Sequence, residues 1–303
     1  MNKTILCIIA SAVLFSTMEV ALKTAGSNID AFQLTCLRFF IGGLVLLPFA
    51  FRDIIKRGTV LDKGDYIYIL LTGILCISIS MVFFQLGVEG SNASTAAVVF
   101  CINPVFTLIF AHFLTDEKMN KNKIIALIVG IIGIVFMINP WNMDAGNTIP
   151  GACLTIAASI TFGLYSALSR KSIQKLGGFT HTGLSILSGS IALLPILWIT
   201  GKPVVEGITA DNIGLVIYTG IMVSGMGYLF YFRAMERSDA ATASVVFFLK
   251  PVFAPIIAII VMNETIGYNG IAGIVLILLS SYINLREQKK KSQQLESKRY
   301  GGE

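Results

Sequence analysis

Stretches of about twenty mostly apolar residues, the length a helix needs to cross a hydrocarbon core, recur along the chain between short polar connections. They cover 4–22, 32–51, 66–86, 95–114, 122–138, 151–169, 179–200, 213–232, 241–262 and 268–284. Each predicts one membrane-crossing helix. The connections leave no room for a separate soluble domain, and only the tail from Arg286 onward (REQKKKSQQLESKRYGGE) reads as solvated.

Displacing the chain by 147 residues lays one half on the other. Residues 83–117 (FFQLGVEGSNASTAAVVFCINPVFTLIFAHFLTDE) and 230–264 (FYFRAMERSDAATASVVFFLKPVFAPIIAIIVMNE) agree at 15 of 35 positions, including Glu89/Glu236, Thr95/Thr242, Pro104/Pro251 and Glu117/Glu264. The same ungapped offset pairs Phe15 with Phe162, Lys23 with Arg170, Phe32 with Phe179, Pro48 with Pro195 and Gly73 with Gly220. One offset holding from the first apolar run to the ninth marks a duplicated half. The first repeat is read as 1–147, the second as 148–285, and 286–303 as a charged cytoplasmic tail. The opening segment MNKTILCIIASAVLFSTMEV has the look of a signal peptide, but it matches the sixth run, and a cleaved leader would have no reason to.

Five crossings is an odd number, so the second copy must enter the membrane in the opposite sense. The charges follow this inversion: Arg52, Lys56, Arg57 and Lys63 align with Ile199, Pro203, Val204 and Ala210, whereas Leu86 and Gly90 align with Arg233 and Arg237. The predicted fold is all-α, ten transmembrane helices as two inverted-topology five-helix repeats around a central cavity. Inverted repeats suit alternating access, with a site near the bilayer midplane at the repeat interface.

Composition agrees with a lipid-embedded chain. It is 55% hydrophobic and 13% charged, against about a quarter charged in soluble domains. The net charge of +6 does not point to nucleic acid, because the basic residues sit in short runs between apolar segments. With the N-terminus inside, 19 Lys and Arg lie on the inner side and only Lys23 and Lys202 on the outer. By the positive-inside rule both termini are expected in the cytoplasm and the chain in the plasma membrane. The five cysteines lie in or beside apolar runs and form no CxxC pair, so no metal site is expected. No GxGxxG, P-loop, HExxH or GxSxG is present. Neither a cofactor nor enzymatic activity is expected.

The paired segments STAAVVFCINPVFTLIFAHFLTDE and TASVVFFLKPVFAPIIAIIVMNE, each closing on a glutamate, and the five-plus-five plan resemble the EamA family of the drug/metabolite transporter superfamily. The resemblance covers roughly residues 4–285. It implies ten helices around a central cavity, often with export of metabolites or drugs.

Charges within spans are costly, by about 3 kcal/mol or more at the centre, and three stand out: Glu19, Arg38 and Lys250. Lys250 falls near the midplane and reads either as a substrate-binding cavity residue or as one half of an ion pair. It maps onto Asn103, and both precede prolines, Pro251 and Pro104, that free the carbonyls of Phe247 and Phe100 and offer hinges. Glu19 and Arg38 sit at similar depth. They read as a salt bridge between neighbouring helices, or Glu19 reads as a proton-coupling carboxylate. Asn103, Arg38, Tyr165 and Gln85 join Lys250 as candidate substrate-binding residues. His112 reads as a packed residue, Glu117 and Glu264 as carboxylates bonding a neighbouring helix end, and the glycines of the fifth, eighth and tenth runs as packing positions.

Glu19, Arg38 and Lys250 together carry one net positive charge. That charge favours a substrate bearing a carboxylate, such as an amino acid, and the resemblance implies a secondary-active exporter of a small metabolite. Its expected partners are that substrate, membrane lipids and a second copy of the chain. A flippase of a lipid or lipid-linked sugar is the alternative on the same fold. A channel would show rings of like charge, and an intramembrane enzyme clustered His, Asp or Cys. The sequence has neither.

Overall fold

The computed structural model describes residues 3–26, 29–114, 121–143, 146–237 and 245–300. Among these it is helical with no strand. Among the described residues nine helices are long and apolar enough to cross a membrane. They are α1 (Lys3–Ala25), α2 (Ala31–Arg57), α3 (Lys63–Glu89), α4 (Ala93–Leu114), α5 (Lys121–Ile138), α6 (Ile149–Leu176), α7 (Gly178–Ile199), α8 (Ile213–Ala234) and α10 (Tyr268–Arg286). The remaining apolar helix, α9, is described from Val245 to Met262. The predicted residues 241–244, and Glu117, lie outside the described residues. The polar tail, expected as a solvated segment, continues α10 as helix to Tyr300. Its Glu, Gln, Lys and Arg are good helix formers extending a helix already nucleated.

Local chemistry sets the helix ends. Asp30 accepts from Phe32 N at 2.9 Å at the start of α2. Asp62 and Asp65 form a capping box at the start of α3. Thr148 accepts from Gly151 N at 3.1 Å at the start of α6, with Pro150 in the first turn. Asp62, Asp65 and the ammonium of Lys175 also meet, at 3.2 and 2.7 Å, tying the end of α6 to the start of α3. The Asp65 amide and Lys175 hold the Asp62 carboxyl below the usual carboxylate range.

The inverted repeat appears in the packing. α2 crosses α7 along the pseudo-two-fold axis. α2 lies against α8 as α7 lies against α3, α1 packs on α8 and α9 as α6 packs on α3 and α4, and α5 pairs with α10 at the side. α3 is π-helical over Ile74–Met81 and α8 over Thr219–Gly227, segments that overlap under the 147-residue offset. Single contacts repeat too. Ser80 Oγ donates to Ala158 O at 2.9 Å, and Ser11 Oγ donates to Gly227 O at 3.0 Å. These are the same two positions with the donor exchanged between helices.

One apolar core runs through both repeats, while the outward faces carry exposed Ile, Leu, Val and Phe. Trp141, Trp198 and Tyr268 stand exposed at one end, as interfacial aromatics do. The other end carries Arg52, Lys56, Lys175 and Arg233 and is called here the basic end. The chain is a multi-pass membrane protein.

At the opposite end Glu264, just past α9, accepts from Ala93 N at 2.6 Å, Ser94 N at 3.1 Å and Ser94 Oγ at 2.6 Å. This is the helix-end role expected of it. The carboxylate satisfies orphan amides of α4 from another helix. Glu264→Ala is expected to lower stability by about 1–2 kcal/mol, read as a lower melting temperature in detergent. Glu264→Gln, which keeps an acceptor, should lose less.

Candidate functional site

The intramembrane charges gather where the repeats meet. Lys250 on α9 places Nζ 2.6 Å from Glu19 Oε1 on α1, and both side chains are almost fully buried. Glu19 Oε2 has no hydrogen-bond partner. The ammonium also lies 5.4 Å from the Phe100 ring centre and 5.8 Å from that of Phe84. α1, α3 and α4 of the first repeat and α9 of the second therefore bring together a buried charge pair and two aromatic rings, a setting in which a cation–ring contact gains from desolvation.

Arg38 does not bond Glu19, contrary to the salt-bridge reading. Its Nη1 lies 3.7 Å from Met18 Sδ and its guanidinium carbon 4.1 Å over the Phe39 ring, while Nε and Nη2 have no partner. The reason is topological. α1 packs on α8 and α9 instead of along α2, so Glu19 meets α9. Arg38 is fully buried and lies within electrostatic reach of Glu19 and Tyr228.

The remaining candidates are held elsewhere. Asn103 donates Nδ2 to Phe100 O at 2.8 Å. That carbonyl is the one Pro104 frees, and α4 breaks there, at Cys101–Ile102. α9 accommodates Pro251 and Pro255 within one helix. Gln85 donates to Glu89 at 3.1 Å, one turn away on α3. The Tyr165 hydroxyl meets Ser185 Oγ at 3.3 Å, and its ring stacks on His181 at 6.1 Å. His112 lies beside Phe113, rings 5.3 Å apart.

The pseudo-symmetry explains this division. Met18 and Arg38 map onto Tyr165 and Ser185, so the Arg38–Met18 and Ser185–Tyr165 contacts are the same contact in two chemistries. Glu19 and Lys250 map onto Ser166 and Asn103. One copy of the site is charged and its counterpart is polar and neutral.

Aromatic triads line both copies, and the sequence reading missed them. Phe84–Phe100 and Phe100–Phe162 lie at 4.5 and 5.4 Å, and the equivalent Tyr231–Phe247 and Phe247–Phe15 at 5.6 and 6.5 Å. The 147-residue offset aligns all three pairs and was the available signal.

Comparison with known proteins decides the family. The EamA-like transporter family matches residues 2–139 and again 149–286, two stretches displaced by the same 147 residues. The chain belongs to the EamA-like transporter family. An uncharacterized transporter of Clostridium kluyveri is 38% identical to this EamA chain, over 96% of it and 95% of the relative. An S-adenosylmethionine uptake transporter of Rickettsia prowazekii is 26% identical, over 92% and 91%. A solved crystal structure superposes with a TM-score of 0.65 at 18% identity, covering 92% of this chain and 95% of the other, which is a likeness of fold. The EamA assignment makes the chain a transporter.

Proposed function

We propose that this transporter is a secondary-active carrier working by alternating access in the plasma membrane, with its basic end in the cytoplasm. It moves a small metabolite bearing a carboxylate, such as an amino acid, outward. The observation that carries this reading is the buried Glu19–Lys250 pair beside the unmatched Arg38, at the junction of the two repeats. Glu19 and Lys250 cancel, and Arg38 leaves one positive charge with two free donors. An incoming carboxylate matches that charge and opens the pair by competing for Lys250. A zwitterionic amino acid also offers an ammonium to Glu19. Glu19 is the group in this cluster able to take up a proton, which gives a proton gradient a route into the cycle. The Rickettsia relative, named for S-adenosylmethionine uptake, supports metabolites as the substrate class, while its direction is the reverse of the one proposed.

The test is countertransport in proteoliposomes preloaded with amino acids or S-adenosylmethionine, measured in both directions. Lys250→Ala is expected to cut substrate-dependent flux by about tenfold or more, as losing one charge-assisted contact of about 1.5–3 kcal/mol implies. Lys250→Arg should retain part of the flux. Full flux in both variants would sink the reading.

A further inference from the structure

A second charged feature lies apart from Lys250. At the basic end, α2, α7 and α8 border a half-open cavity of about 210 Å³ lined by Phe49, Arg52, Asp53, Lys56, Phe179 and Arg233. The Phe49 and Phe179 rings stand 6.2 Å apart, and Phe232 backs Phe179 at 5.6 Å. Arg52 and Lys56 project one helical turn apart on α2. Arg233 reaches in from α8 with its guanidinium carbon 5.4 Å over the Phe49 ring.

The carboxylate in this lining is already matched. Asp53 Oδ1 pairs with Arg57 Nε at 2.7 Å, and Oδ2 accepts from Thr180 Oγ1 at 3.4 Å. The α6–α7 turn closes over it at Gly177, whose φ is +91°, and a Cβ there would lie 2.0 Å from Asp53 Oδ2. A side chain at 177 is therefore excluded, and the Asp53–Arg57 pair is fixed in place. Among the described residues Arg52, Lys56 and Arg233 have no ion-pair partner.

Membrane topology accounts for basic residues at this end of the bundle. It does not account for three of them, from two helices of different repeats, converging on one cavity with ring walls while the local carboxylate is taken by a fourth cation. We propose that this cavity binds the anionic group of a phosphate or carboxylate. Its volume lies below the roughly 300–1,000 Å³ of drug-sized sites, so it takes a headgroup-sized anion or the anionic end of a longer molecule. The two guanidinium groups supply paired donors in the fixed geometry that such oxyanions match. The anion comes either from a phospholipid headgroup or from solution. The inference does not depend on Lys250 binding substrate.

The experiment uses the full chain in nanodiscs. In one arm the lipid is neutral phosphatidylcholine, and inorganic phosphate is titrated against chloride at matched ionic strength while the melting temperature is read. In the other, phosphatidylglycerol replaces part of the lipid without phosphate, and native mass spectrometry reads the lipid retained. Wild type is expected to respond saturably in at least one arm. A response to phosphate alone assigns a soluble anion, and one to phosphatidylglycerol alone assigns a lipid headgroup. Arg52→Gln/Arg233→Gln should weaken that binding by about tenfold or more, as expected for charge-assisted bidentate contacts. Arg233→Lys should keep part of it, and Lys202→Gln, at the opposite end, all of it. The single Arg233→Gln is measured alongside, so that a folded variant is in hand. No response in either arm, that is phosphate acting no better than chloride and no phosphatidylglycerol retained, would overturn the proposal, as would folded Gln variants that bind as wild type.

Discussion

Glu19→Gln is expected to destabilise the protein more than Lys250→Met, and the double variant is expected to be more stable than Glu19→Gln alone. Breaking a buried ion pair costs about 3–5 kcal/mol, because the surviving charge is left in a dry interior without its partner. Here the two survivors differ. Removing the Lys250 charge leaves Glu19 within electrostatic reach of Arg38, so the carboxylate keeps part of its compensation. Removing the Glu19 charge leaves Lys250 and Arg38 as two buried cations with no carboxylate between them. Arg38 has two unpartnered donors already, and a guanidinium does not shed its proton. Lys250→Met added to Glu19→Gln removes one of those cations and fills its place with a chain of similar length, so stability should return. Melting temperatures of the four proteins in one detergent form a double-mutant cycle. If the loss in the double variant equals the sum of the single losses, Glu19 and Lys250 are not coupled and the pair does not organise the site.

The same pair shows what sequence reading could reach. The offset of 147 residues made the duplicated half legible through matched letters and its inversion legible through basic residues lost or gained at matched positions, while Glu264 was legible from its place at the end of a run. Lys250 and Glu19 were legible as costly charges, since any charge deep within an apolar run stands out by its depth. Their partnership was not legible. Apolar runs give the depth of a residue but not the side of the helix it faces, and in this fold α1 takes its neighbours from the second repeat. Depth placed Glu19 beside Arg38 on the adjacent α2, whereas packing placed it on α9. Asn103, Gln85 and Tyr165 were visible as polar residues within apolar runs. Where their hydrogen bonds go depended on a break at Cys101–Ile102, a carboxylate one turn along, and a serine across α7. The basic-end cavity was likewise hidden. Arg52, Lys56 and Arg233 read from sequence as topology signals, and only the crossing of α2, α7 and α8 brings them together.

The second large effect is expected where α3 crosses α7. A Cβ at Gly73 would lie 2.3 Å from Ser185 O, and one at Gly189 would lie 2.2 Å from Gly73 O and 2.6 Å from its carbonyl carbon. Both obstacles are backbone atoms, so no rotamer change relieves them and the helices themselves must separate. Gly73→Ala and Gly189→Ala should therefore fall at the upper end of the roughly 1–3 kcal/mol that overpacking costs, with Gly189→Leu beyond it. The pseudo-symmetric position gives an internal scale. At Gly220 the nearest atoms are side-chain carbons of Ile41, at 2.8 Å, which can shift, so Gly220→Ala should cost less. At Gly214 nothing lies within 4 Å, and Gly214→Ala should be neutral or slightly stabilising, because alanine favours helix. The order Gly73 and Gly189 worst, then Gly220, then Gly214 is read from monodisperse yield and melting temperature after detergent extraction. Gly73 immediately precedes the π-helical turns of α3, so the tight contact also fixes where that segment can bend against α7. Gly73→Ala and Gly189→Ala variants as stable as Gly214→Ala would show that α3 and α7 do not approach this closely.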